Sequence, residues 1–140
     1  PADRAARARA RMVVAEMHSS FTALRRQCYV DIRARRPETA LSEATLADIA
    51  RVRAIWAECR SYAPTGGPFL IGRWSAADAF YAPVVTRFRT YSVALDGADA
   101  AYAAAVLANP DMQAIERAAA EEPWQMVPGP TGMVRVDTTA

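Results

Sequence analysis

At 140 residues, with 17 basic and 15 acidic side chains and a formal charge of +2, the chain has the length of one domain with a single sizeable core, and its mixed-sign charge gives no indication of nucleic-acid binding. Two cysteines and one histidine are too few ligands for a protein-only zinc site; Cys28 and Cys59 lie far apart, outside any C-x-x-C, and read as reduced, buried thiols of a cytoplasmic protein. The apolar runs are short and alanine-heavy, and no charged stretch leads into a hydrophobic one at the start, so neither a membrane span nor a signal peptide is indicated.

Every basic residue is arginine, and alanine is abundant; both favour helix. The opening arginines Arg4, Arg7, Arg9 and Arg11 spread around a helix instead of forming one stripe, which describes a solvated surface. The first periodic segment runs from Ala5 to Arg35 and is ended by Pro37. Val13, Met17, Leu24, Cys28 and Ile32 recur on one face, the expected core face. Arg11, Val14, His18, Phe21 and Arg25 form a second, mixed face. Such a helix would be roughly 40–45 Å long, more than the width of a compact globule of this size, so it must bend or project.

A second helix is expected from Ser42, with Glu43 in its first turn, to Tyr62. Its buried stripe reads as Leu46, Ile49, Val52, Trp56 and Cys59, with Asp48, Arg51, Glu58 and Arg60 facing outward. Pro64, Gly66, Gly67 and Pro68 then break the chain.

The stretch Phe69 to Tyr81, FLIGRWSAADAFY, follows: an apolar Phe69-Leu70-Ile71 run, a turn at Gly72, Trp74, and a helix start. Ser75 stands as N-cap with Asp78 three residues on, a capping box with Asp in place of the usual Glu. The helix it starts continues to Tyr91 through Pro83, which removes a hydrogen bond to the Ala79 carbonyl and should bend the axis at a cost of about 3 kcal/mol. Packing must compensate, so this helix is expected to be central. Asp96-Gly97 marks a turn, Ala98 to Leu107 a short alanine-rich helix, and Asn109-Pro110 the start of a last helix over Asp111 to Glu122. The expected fold is an all-α bundle of about five helices over residues 1–124, with 125–140 as an irregular tail that includes the Val127 to Met133 stretch of prolines and glycines.

Gly72 to Asp78 resembles the G-x-x-S/T-x-A-D segment of the helical C-terminal domain of glutathione S-transferases, and the order of elements from Ala5 to Trp124 is similar to that domain. Glu16-Met17-His18-Ser19-Ser20-Phe21 looks like the E-V-H-K-S-F stretch of the bacterial beta class, with Ser19 in place of the lysine. The resemblance implies the electrophile-binding half of a transferase that conjugates glutathione to hydrophobic electrophiles. Glutathione would be the co-substrate and no cofactor would sit in this chain. It also implies that the thiol-binding, thioredoxin-like N-terminal domain is missing here, a fragment that Pro1 without a methionine would fit, and that the full-length protein is a homodimer. As an isolated domain the chain would be inactive. The same fold also serves as a stand-alone helical protein–protein interaction module, the alternative reading. On either reading Ser75 and Asp78 are structural capping residues, no metal ligand is assigned, and neither nucleic acid nor membrane is a partner. No residue is a confident catalyst, but His18 is a candidate cleft residue. The candidate substrate wall comprises Val14, His18, Phe21, Phe80, Tyr81 and Arg87.

Overall fold

The computed structural model describes residues 1–64, 66–126 and 133–135. Six helices carry the fold: α1 (Arg4–Ser19), α2 (Thr22–Gln27), α3 (Glu43–Ser61), α4 (Ala76–Thr90), α5 (Gly97–Leu107) and α6 (Pro110–Glu121). A three-residue antiparallel pair, β1 (Trp124–Met126) and β2 (Met133–Arg135), follows, with Gln125 opposite Val134. The class is therefore all-α but for this short ladder. Residues 127–132, most of the expected Pro/Gly tail, and Thr65 of the 64–68 break lie outside the described residues.

The largest departure from the sequence reading is at the start. The single helix expected over Ala5 to Arg35 ends at Ser19; Phe21 takes a left-handed conformation (φ 64°, ψ 42°), and a short α2 restarts at Thr22. After Gln27 the chain is irregular as far as Ser42. The turn sets Phe21 and Leu24 in the core beside Met17 and Val13, which a straight helix longer than the bundle could not do. Arg25 folds back and donates to the carbonyls of Ser20 (3.0 Å) and Met17, covering the free C-terminal carbonyls of α1 with a cation.

The other helices start where their capping residues stand. The hydroxyl of Ser42 accepts from the Thr45 amide at 3.2 Å, and Asn109 accepts from Asp111 at 2.9 Å with Pro110 in the first turn. Along α3 the inward stripe is Thr45, Ile49, Val52, Ile55, Trp56 and Cys59. Leu46, placed in that stripe by periodicity, is 50 % exposed; the stripe enters the helix one residue earlier, at Thr45, whose hydroxyl bonds Gln27 at 2.6 Å.

The core centres on Trp56. Its indole meets the rings of Tyr102 (4.7 Å), Phe88 (5.5 Å) and Tyr81 (6.4 Å) at steep angles, an arrangement in which aromatic edges face aromatic faces. Central helix α4 packs against both α1 and α5 and continues unbroken through Pro83, with Tyr81, Val84, Val85 and Phe88 buried. Arginines tie the surface: Arg51 bonds Glu16 at 2.7 Å across α3 and α1, and Arg53 and Arg60 both grip Asp99 of α5, at 2.7 and 2.6 Å. The exposed Arg51–Glu16 pair contributes at most about 1 kcal/mol, whereas Asp99 is buried between its two arginines, which supply the partners a buried carboxylate needs.

Candidate functional site

The approach to α4 is the most tightly specified part of the backbone. Gly72 donates to the Phe69 carbonyl at 3.0 Å and turns the chain at φ 84°. Gly67 passes so close that a Cβ there would lie 2.0 Å from the Gly72 carbonyl oxygen, so a side chain is excluded. Ser75 and Asp78 form the reciprocal capping box. Asp78 does more than cap. Fully buried, it accepts from the Ser75 amide at 2.8 Å, from the Ser75 hydroxyl at 2.9 Å, and from the Leu70 amide at 2.9 Å, so one carboxylate fastens the FLIG loop to the helix it precedes. Burial pushes the Asp78 carboxyl above the ordinary carboxylate range, and the three bonds hold it back.

With its first turn anchored there, α4 lies along α1, and the tyrosine hydroxyl of Tyr81 donates to the Val13 carbonyl at 3.3 Å between them. Two shallow depressions sit along the outer side of this seam. One, about 450 Å³, lies between Arg7, Arg11 and Val14 of α1 and Trp74 and Ala76 at the start of α4. The other, about 320 Å³, lies further along both helices, between Met17 and His18 of α1, Arg25 of α2, and Ala79, Phe80 and Pro83 of α4. Arg11, Val14 and His18 recur at helical spacing, as do Ala76, Phe80 and Pro83, so both walls follow from register alone. Each volume is at the low end of the range for a small-molecule site, and both depressions are open on their outer side.

The candidate residues divide between this groove and the core. Val14, His18 and Phe80 are on the groove, with His18 exposed and Phe80 44 % exposed. Phe21 and Tyr81 are core residues, 4 % and 0 % exposed. Arg87 is 8 % exposed and donates through Nε to the Cys28 carbonyl at 2.6 Å and through a terminal nitrogen to the Pro83 carbonyl at 3.4 Å; it braces α4 against the end of α2. Burial, with Arg25 nearby, pulls the Arg87 guanidinium below its ordinary range. Not among the candidates but on the groove are Met17, Trp74, Ala79, Pro83 and Arg25. Arg25 was legible as part of the mixed face that holds Val14 and His18; Pro83 and Ala79 follow once Phe80 is placed outward.

Chemically, the groove offers two aromatic side chains, Trp74 and Phe80, a thioether, one imidazole and guanidinium donors. The buried hydroxyls and thiols are poor nucleophiles: burial raises Tyr81, Cys28 and Cys59 from their usual values. Among the described residues no group of three or more His, Cys, Asp or Glu is placed to hold a metal ion, and no helix is long and apolar enough to cross a membrane. No family model matches the chain, and no curated protein sequence matches it.

Proposed function

We propose that this chain is the helical, electrophile-binding half of a glutathione S-transferase-type enzyme, and that the α1–α4 groove is the apolar wall against which the electrophile lies. The observation that carries the reading is the position of the two open depressions of the groove: one lies beside the box-capped start of α4 against Val14, the other further along between His18 and Phe80. The division of labour is physically sensible. An apolar wall gives orientation and desolvation, while a companion thioredoxin-like domain binds glutathione and lowers the pKa of its thiol. Attack of that thiolate on the electrophile forms the carbon–sulfur bond and expels the leaving group. Within this chain Tyr81 does not activate a thiol, because its hydroxyl is spent on the Val13 carbonyl and burial raises its pKa. His18 stands at the groove edge as a donor that orients the substrate. Homodimerisation belongs to the same proposal.

The natural full-length gene product tests this with glutathione and 1-chloro-2,4-dinitrobenzene. Glutathione-dependent conjugation is expected. Phe80→Ala should raise KM for the chlorinated substrate roughly five- to tenfold, an aromatic contact at a half-exposed site being worth about 1 kcal/mol, and should leave KM for glutathione unchanged. A full-length protein with no glutathione-dependent activity, or a Phe80→Ala variant altered only toward glutathione, refutes the proposal.

A further inference from the structure

The Phe80 end of the groove is lined by a guanidinium and by no carboxylate. Arg9, Arg36, Arg51, Arg53, Arg60 and Arg89 each pair with a carboxylate. Arg25 and Arg87 are among the arginines that, in the described residues, pair with no carboxylate: Arg87 donates to the carbonyls of Cys28 and Pro83, Arg25 to those of Ser20 and Met17. Yet these two are near enough for Arg25 to add to the burial that disfavours the Arg87 cation. Neither guanidinium faces a carboxylate; main-chain carbonyls at helix ends hold both, Arg25 at the end of α1 and Arg87 at the end of α2. Of the two, Arg25 lines the groove. There Arg25 is half-buried, His18 is exposed beside it, and none of the lining side chains is acidic. Two carbonyls do not exhaust the N–H donors of Arg25, and the remaining walls are apolar: Met17, Phe80 and Pro83.

We infer that this end of the groove selects a small aromatic molecule bearing an acid group, its ring against Phe80 and Met17 and its carboxylate or sulfonate on Arg25 and His18. The inference rests on the groove being the substrate wall proposed above. It adds the acid group as the feature chosen. The volume of about 320 Å³ is at the low end for small-molecule sites and fits a one- or two-ring compound. Charge-assisted bonds from a guanidinium to a carboxylate are the strong kind.

The test uses this chain without glutathione, with 2-naphthoate and its uncharged isostere 2-naphthamide as probes. His18 is the only histidine, so its ring signals in a carbon–proton correlation spectrum report the groove directly. Naphthoate should shift those signals and bind at least about tenfold more tightly than naphthamide. Arg25→Gln should remove that preference, weakening naphthoate far more than naphthamide, and His18→Gln, at an exposed position, should reduce it without a fold defect. Equal affinity for the two probes, binding of neither, or naphthoate binding that leaves the His18 signals unmoved overturns the inference. The parent proposal is judged separately: conjugation of neutral electrophiles by the full-length protein with no naphthoate preference here rejects the acid-group selection alone, whereas a naphthoate preference without any conjugation rejects the transferase reading and leaves the anion site standing.

Discussion

Replacing Asp78 with alanine should be the most damaging single change to the FLIG loop and the helix it precedes. Three donors lose their acceptor at once: the amides of Leu70 and Ser75 and the Ser75 hydroxyl. They are not equivalent. Ser75 is only partly buried, so its groups regain water, and the loss there is that of a cap, about 1 kcal/mol. Leu70 is wholly buried, and its orphaned amide bears the full penalty of an unsatisfied donor, about 1–3 kcal/mol. The sum is about 3 kcal/mol, a large share of the stability of an ordinary domain. With a urea slope of about 2 kcal/mol per molar, the midpoint should fall by about 1.5 M at unchanged slope. Asp111→Ala, at an exposed first-turn carboxylate of α6, serves as control and should move it by a few tenths of a molar at most. An Asp78→Ala midpoint equal to that of the parent refutes the anchoring role. The pH dependence tests the electrostatics separately. Because burial raises the Asp78 pKa above its unfolded value, the native state binds this proton more tightly than the unfolded chain. The contribution of the residue is then fully present below the unfolded carboxylate pKa and is lost as pH rises through the folded one. The stability advantage of the parent over Asp78→Asn should therefore widen as pH falls from 7 toward 4. A gap that narrows on acidification means that the three hydrogen bonds outweigh burial, with the pKa lowered instead.

Two further outcomes follow from the same geometry. Phe21 is both buried and left-handed, so Phe21→Ala should destabilise by about 3–4 kcal/mol, whereas Phe21→Gly should be no worse despite its smaller side chain, because glycine accepts φ 64° without strain; thermal or urea unfolding of the pair decides, and a glycine variant clearly below the alanine one removes strain from the account. Cys28 and Cys59 are each 1 % exposed or less, with thiol pKa values raised chiefly by burial, against the opposing pull of Arg87 and Arg9 respectively; a disulfide reagent at pH 8 should titrate both only after denaturation, and rapid reaction of either in the native protein contradicts their placement.

Most elements were legible because their ends are written locally. The caps Ser42, Ser75 and Asn109 stand one residue before α3, α4 and α6, and the apolar periodicity within α3 and α4 is that of their buried faces. The Ser75–Asp78 pair was readable as a cap, but not as a clamp on Leu70, because that third bond closes across a loop whose path no local rule supplies. The same limit applies to Arg87: it was read as part of the substrate wall, while its actual partners are main-chain carbonyls, which leave no trace in sequence.

The break at Phe21 shows the limit at its sharpest, and the groove depends on it. No proline or glycine stands between Ser19 and Thr22, and Phe21 as N-cap of α2 offers no side-chain acceptor. The cap comes from elsewhere: Asp48 of α3 accepts the Leu24 amide at 2.9 Å, doing across space what a Ser or Asp does within the chain. A residue that periodicity assigns to the solvent face of one helix thus starts another. Had the helix run straight on through Phe21, Arg25 would have been carried away from Met17 along the axis, roughly 1.5 Å per residue, and the Phe80 end of the groove would lack its strongest donor. The left-handed turn instead returns Arg25 beneath the end of α1, next to His18 and opposite Phe80. The strain accepted at Phe21 and the guanidinium of Arg25, which faces no carboxylate, therefore occur within one short stretch that borders the groove, which is where a fold departs from its local preferences when a ligand site is being shaped.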